Sequence, residues 1–337
     1  MRAVEIQDGF GLDHLKVVER PEPVAGPGQV VVRVRAASIN YRDILTVRGE
    51  YNPKQRLPLV PGSDAAGDVV DVGPGVTRVV AGDRVMPIFA QRWIGGTPTA
   101  AQLRSTLGGP LDGVFAEKIA VDAEGVAAVP DYLTDEEAAC LPCAALTAWN
   151  ALVLGGSVVA GETVLVQGTG GVSLFALQLA RTLGARVIVT SSSDEKLGRA
   201  RELGAWQTIH YVREPDWGRR ARDLTGGRGV DRVVEVGGAG TLEQSLAAVR
   251  PGGHVSLVGV LAGGAARISV VPILMNRIRV QGILVGSRDD LERMCRAFEA
   301  HRLRPVVDRA FALDATREAL EHVAGGRHFG KVCLRIG

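Results

Sequence analysis

The chain has 337 residues, 46% of them hydrophobic and 23% charged, and its 39 basic and 37 acidic side chains leave a net charge of +2. Those proportions belong to folded globular protein; they leave no basic footprint for nucleic acid, and no window nears the roughly 18 unbroken apolar residues of a membrane span. Cys140, Cys143, Cys295 and Cys333 make no disulfide framework, and the opening MRAVEIQDGF has no basic run before an apolar core, so free thiols and a cytoplasmic location are expected.

The length exceeds one ordinary core, and the pattern changes part-way along. Up to about Val129, short β-rich runs (RAVEI, LKVVE, QVVVRVRAA, GDVVDVG, DRVMPI, GVFAEKIAV) alternate with Gly, Pro and Asp turns. This predicts a barrel-like β domain, interrupted by one helix over 41–48. A long polar connection follows Ala90, with room to cover a site. Over 133–154 a capping pair, Thr134 with Glu137, opens a largely apolar helical stretch in which Pro142 marks the junction of two helices. Strand and helix patterns then alternate from TVLVQ to RIRVQGILVG, with about six strands, as crossover units on a parallel sheet do. Two helical patterns and a closing strand, KVCLRI, complete the chain, and this tail is expected to rejoin the first domain. The expected division is 1–129 with 288–337 against 130–287.

In VLVQGTGGVSLFALQLA, the turn Gly168, Gly170, Gly171 and Val172 joins a strand to a helix, where backbone N–H groups and the positive helix end can face a pyrophosphate. Ser173 takes the third position of the G-x-G-x-x-G pattern and is small enough for helix to approach strand. About 20 residues on, where an acid receives the ribose hydroxyls of NAD, the strand RVIVT ends in Ser191, Ser192 and Ser193, with Lys196 one helical turn away. Hydroxyls and a cation suit a phosphate of nearly two charges, which favours NADP(H) over NAD; Ser193 alone could equally cap the helix that starts at Asp194.

The β-rich first domain, the glycine turn and the end segment HFGKVCLRI together resemble the medium-chain dehydrogenase/reductase superfamily over nearly the whole chain. The resemblance implies an α/β protein, with a GroES-like β-barrel catalytic domain plus a Rossmann doubly wound parallel-sheet domain. Zinc alcohol dehydrogenases of that superfamily hold their catalytic metal with a cysteine after the third strand, a His-Glu pair in a V-P-G-H-E turn, and a further cysteine. The matching positions here are Asn40 in AASINYRD, Ser63 and Asp64 in VPGSD, and Cys143 in LPCAALTAW. A catalytic zinc wants three protein ligands, and an amide and a hydroxyl are poor companions for Asp64 and Cys143, so no metal is expected. Residues 91–130 contain no cysteine, so the four-cysteine structural loop of many relatives is missing as well. The CLPC run at 140–143 lies in the predicted helical pair, which suits buried thiols and not a redox motif.

Zinc-free members with Asn at the first cysteine position resemble quinone oxidoreductases and enoyl reductases, which implies hydride transfer from NADPH to a quinone or an α,β-unsaturated carbonyl. Conjugation spreads the developing charge onto an oxygen, where modest hydrogen-bond donors stabilise it before protonation. By this resemblance Tyr51 in VRGEYNP matches a proton-donor tyrosine, its plainer role being a cleft-wall aromatic. Asn40 would orient nicotinamide or substrate oxygen, its plainer role being an amide that satisfies a turn, while Tyr41 and Asp43 pack and cap. The resemblance also puts Thr147 beside the nicotinamide and Lys196 and Tyr211 around the adenosine 2′-phosphate. Val258, Gly259 and Val260 would line the nicotinamide side, or belong to the core. RIRVQGILVG resembles the edge through which relatives form homodimers. A small-molecule acceptor is expected, with no nucleic-acid or membrane partner. An alcohol or aldehyde oxidoreductase of the same superfamily, and a non-catalytic NADPH- or RNA-binding protein, are the competing readings.

Overall fold

The turn-punctuated β runs at the start of the chain become strands β1 (Arg2–Ile6), β2 (Leu15–Glu19), β3 (Gln29–Ser38), β4 (Asp64–Val72), β5 (Arg84–Pro87), β6 (Lys118–Asp122) and β7 (Val126–Ala128) in the computed structural model, which describes residues 1–337. The last two strands of the chain, β14 (Val307–Ala312) and β15 (Lys331–Arg335), return to the same unit, which comprises Met1–Leu146 and Gly286–Gly337. β1 and β2 form an antiparallel pair; the others make a sheet in the order β14-β15-β3-β4-β5-β7, with β6 also on β3.

Strand β3 is the hub of this unit. Val30, Val32 and Val34 are buried on one face with Ile6, Phe115 and Leu334, while on the other face Arg33 meets solvent and Val31 is buried as well. β4 closes on β3 at Gly67, where a Cβ would sit 2.1 Å from the Arg33 carbonyl oxygen, and the register shifts there, between Val34 and Ala36. Beyond that irregularity Ser38 pairs with Asp64 on one side and Cys333 on the other. The register therefore carries Asn40, Asp64 and Lys331 to one end of three neighbouring strands.

Thr134 and Glu137 form the expected capping box of the helix Asp135–Ala139, which packs against β3, β4 and β15. Pro142 falls in the wider-turn segment Leu141–Ala145 that follows, as expected of a junction. Because this apolar stretch is buried on the first sheet, and Tyr132 Oη donates to the Leu303 carbonyl at 2.6 Å, the first unit runs to Leu146 and resumes at Gly286. The boundary anticipated at 129/130 thus lies at 146/147, and the one at 287/288 lies at 285/286.

The second unit, Thr147–Val285, is the alternating segment. Its strands β8 (Thr163–Gln167), β9 (Arg186–Ser191), β10 (Gln207–His210), β11 (Val230–Glu235), β12 (Val249–Leu257) and β13 (Arg279–Gly282) are all parallel, in the order β10-β9-β8-β11-β12-β13. Every residue of β8 is buried, as in a strand covered on both faces. Chain direction across the sheet reverses beside β8, the switch point at which open α/β sheets bind ligands. No helix of the structure is long and apolar enough to cross a membrane.

Candidate active site

At the end of β8 the backbone turns through Gly168, whose φ of +71° is a left-handed conformation that glycine adopts without Cβ strain. Gly170 then precedes the helix Gly171–Thr182, and the N–H groups of Gly171 and Val172, in its first turn, have no carbonyl to bond within the helix. Ser173 does more than stay small. It is buried, and its hydroxyl donates to the Gln167 carbonyl at 2.7 Å, tying helix to strand where the pattern usually has glycine.

The other strand ends meet this turn because the sheet is parallel. Ser191 closes β9 and is buried, and Ser192 is exposed. Ser193 Oγ accepts from the Lys196 N–H at 3.3 Å, so it does cap the helix Asp194–Glu202. The Tyr211 N–H donates to the Ser191 carbonyl at 3.1 Å. Val258, Gly259 and Val260 follow β12, and the first two donate their N–H groups to the Glu235 carbonyl at 2.8 and 3.3 Å. Lys196 stands in the first turn after β9, and Thr147 is buried on the helix segment Leu146–Trp149, apart in the chain from these strand ends.

Two features here escape a reading of the sequence alone. Arg213, just after Tyr211, grips both oxygens of Asp194 at 3.1 and 2.6 Å, so the first acid beyond β9 is already paired. The buried Glu235 carboxylate collects donors from Gln167 Nε2 (2.6 Å), Thr241 Oγ1 (2.6 Å), the Gly237 and Gly238 N–H groups (2.8 and 2.9 Å) and Ser245 Oγ. It fixes the loop at the end of β11.

In the first unit, Asn40 precedes the helix Tyr41–Val47, and its N–H donates to Asp43 Oδ2 at 2.8 Å, so Asp43 caps as expected. The Asn40 side chain points elsewhere. Its Oδ1 accepts from Lys331 Nζ at 2.6 Å, while its Nδ2 donates to Ser63 Oγ at 3.4 Å. Ser63 in turn donates to Asp64 Oδ1 at 2.8 Å, and the Cys143 N–H donates to Asp64 Oδ2 at 3.2 Å. Lys331 is 3% exposed and also donates to the Ile39 carbonyl at 2.8 Å. This lysine, 291 residues from Asn40 in the chain, is a third group that sequence reasoning missed; a cation at the start of the strand KVCLR, whose other cation, Arg335, is exposed, was its only signal.

Burial raises the pKa of both carboxyls. Asp43 is pushed up to about 6, against the pull of Arg42. Asp64 is raised too, and the Lys331 charge and hydrogen bonds from Asn40 and Ser63 oppose the shift. Burial, with the neighbouring Asp64 adding to it, keeps Cys143 as a thiol well above the usual range. Arg42, its guanidinium stacked 4.8 Å from the Tyr51 ring and 4.9 Å from Phe89, donates to the carbonyls of Leu107 (2.8 Å) and Gly109 (2.6 Å). It anchors the end of the long 91–111 connection, whose form the sequence does not reveal, and it leaves Tyr51 47% exposed. Cys140 lies 3.6 Å from Cys333 Sγ, not against Cys143, and both are buried thiols.

A doubly wound sheet with a glycine turn at its switch point defines a dinucleotide-binding unit of the oxidoreductase type. The Alcohol dehydrogenase GroES-like domain model matches residues 26–131, and the Zinc-binding dehydrogenase model matches residues 171–300. A zinc-type alcohol dehydrogenase-like protein of Schizosaccharomyces pombe is 43% identical over 345 residues, which cover 100% of this chain and 99% of that one. The acryloyl-coenzyme A reductase of Sulfurisphaera tokodaii is 26% identical over 330 residues, covering 95% and 96%. The crystal structure of an NAD-dependent alcohol dehydrogenase matches with a TM-score of 0.92 at 35% identity, covering 100% of each chain. The chain belongs to the medium-chain dehydrogenase/reductase superfamily, as an oxidoreductase with an NAD(P)-binding domain.

Zinc is implied by the names of these relatives, but the donor set here does not fit it. Asn40 Oδ1 faces an ammonium, both oxygens of Asp64 accept hydrogen bonds, and Cys143 is held as a thiol. A second cation at this point would meet the charge of Lys331 in a buried setting, where repulsion is poorly screened. No three His, Cys, Asp or Glu side chains converge to offer the ligands that zinc requires.

Proposed function

We propose that the chain is a zinc-independent, NADPH-dependent oxidoreductase that transfers hydride to a quinone or an α,β-unsaturated carbonyl compound. The observation that carries this reading is the Lys331–Asn40 contact at 2.6 Å, which puts a fixed protein cation and an amide where zinc members of the family have a ligand. A conjugated acceptor suits such a site, because its oxygen gathers negative charge that one or two hydrogen-bond donors can stabilise. The relative named acryloyl-coenzyme A reductase supports a conjugated acceptor, and the relatives named alcohol dehydrogenase support the competing oxidation of an alcohol.

When bound, the reduced nicotinamide supplies the hydride. Gly168, Gly170, Gly171 and Val172 hold the pyrophosphate with backbone N–H groups. Ser191, Ser192, Lys196 and Tyr211, joined by Arg213, receive the 2′-phosphate; the pairing of Asp194 with Arg213 removes the acid that would repel it. Thr147, Val258, Gly259 and Val260 serve the nicotinamide end. The Asn40 amide donates a hydrogen bond to the acceptor oxygen, and the phenol of Tyr51 supplies the proton. We further propose that two copies pair along β13, the edge of the six-stranded sheet, near which Leu274 and Met275 stay 75% and 73% exposed. A monomer by light scattering would contradict the pairing.

The reaction is tested by dialysing the purified protein against a strong chelator and offering NADPH and NADH with a panel of quinones, enones and enoyl thioesters, and NADP+ and NAD+ with alcohols. NADPH-linked reduction of a conjugated acceptor is the expected result. Alcohol oxidation that depends on added zinc would overturn it.

A further inference from the structure

We propose that Lys331 is a positioning residue for the reaction: its ammonium locks the Asn40 amide in one orientation and polarises it as a hydrogen-bond donor to the acceptor oxygen. The inference rests on the role just given to Asn40 and adds to it the group that makes it work.

An asparagine side chain can be turned over, exchanging its oxygen and nitrogen, and only its partners decide which way it faces. Here the partners leave no choice. Lys331 Nζ is donor-only, and it lies 2.6 Å from one end of the amide, so that end is the carbonyl oxygen. On the other side Ser63 gives its only proton to Asp64 Oδ1 at 2.8 Å, so its oxygen is free to accept from Asn40 Nδ2 at 3.4 Å. The same amide nitrogen is close enough to Asp64 to help hold its carboxyl charged. One N–H is thus taken up by the Ser63–Asp64 pair. Asn40 is only partly buried, which leaves its second N–H able to turn toward a bound acceptor.

The lysine is held as firmly as the amide it directs. Its side chain is almost fully buried, it donates at the same time to the Ile39 carbonyl at 2.8 Å, and its own N–H bonds the Val306 carbonyl at 2.9 Å. The Ile39 N–H donates to Val332 at 2.9 Å, so β15 delivers Lys331 beside Asn40 through the strand pairing itself. A charged donor on the carbonyl oxygen of an amide draws electrons toward that end and makes the N–H groups stronger donors, the more so in a low-dielectric setting. An oxygen that gains negative charge as hydride arrives then meets a donor whose direction was set beforehand, which is where such groups lower a barrier.

The test is a double-mutant cycle on NADPH-linked reduction of whichever quinone or enone the wild-type protein accepts, with K331M, K331R, N40L and K331M/N40L. K331M should lower kcat at least about 10-fold, with NADPH Kd changed by less than about 2-fold, and K331R, still donor-only, should recover most of the loss. The double variant should be no slower than N40L, because both changes remove one interaction. A K331M enzyme within 2-fold of wild type, or losses that multiply in the double variant, would overturn the proposal. Wild-type protein that reduces no conjugated acceptor would refute the function and not this contact, which is read independently from the side-chain amide resonance of Asn40. That resonance should shift in K331M, or in K331Q if K331M does not fold, and an unchanged resonance would sink the inference.

Discussion

In the Thr147–Val285 unit the residues proposed to bind the nucleotide are neighbours in sequence: Gly168 to Ser173 in one turn, Ser191 to Ser193 in another. In the unit of Met1–Leu146 and Gly286–Gly337, the polar centre gathers Asn40, Asp64, Cys143 and Lys331 from four distant segments. The first works through backbone N–H groups and hydroxyls, whose geometry a local turn can set. The second works through buried charge, which is tolerable only when partners reach it across a sheet. One kind of site is written in a motif, and the other in a register.

The comparison is sharpened at Glu235, a buried carboxylate of the Thr147–Val285 unit whose donor Gln167 lies 68 residues away in the chain. With five donors on its buried carboxylate, E235A should cost at least about 3 kcal/mol and lower Tm by roughly 6 to 12 °C, since each donor left unpaired carries its own desolvation cost. E235A with wild-type Tm by calorimetry would show the loop at the end of β11 to be self-supporting.

Acid and base should separate the units next. Burial, aided by Arg232 and Arg279, lowers the His254 pKa to about 4. A histidine depressed on folding adds stability above its unfolded value, near 6.5, and loses it as pH falls toward 4, by up to about 3 kcal/mol. Asp43 runs the other way: with its pKa raised to about 6, its contribution is complete below about 3.9 and is lost as pH rises through 6, by about 2 to 3 kcal/mol. Urea unfolding should therefore show H254Q flattening the decline between pH 6.5 and 4, and D43N gaining on wild type above pH 6. Parallel pH curves for wild type and either variant would remove the corresponding assignment.

At the turn itself, G168V should weaken NADPH binding on the order of 100-fold in a fluorescence titration, because a branched residue resists φ +71° and would distort the turn. The smallest effect belongs to Arg213, an exposed cation. R213A should shift the NADPH-to-NADH preference about 5-fold toward NADH, and an unchanged ratio would dismiss Arg213 from the phosphate site.

Much of this was legible in the sequence because period and punctuation are local. The six parallel strands, the glycine turn and the capping box at Thr134 follow from residues within a few positions of each other. The unit boundary was misplaced because 133–146 reads as an apolar helix, and periodicity does not say which sheet receives its apolar face. Ser63 and Asp64 could be seen to lack metal-ligand company, yet nothing near them in the chain announced Lys331. The shift between Val34 and Ala36 and the pairing of Ser38 with Cys333 decide that meeting, and neither has a signature in composition or spacing. Arg42 holding Leu107 and Gly109 escaped for the same reason.

What most directly tests whether a protein cation replaces a metal here is the rate of NADPH-linked enone reduction before and after exhaustive chelation, with metal content measured on the same samples. A rate that is unchanged at less than about 0.1 zinc per chain, and is not raised by adding zinc, is the predicted result. A rate that falls with the metal and returns with zinc would contradict the account.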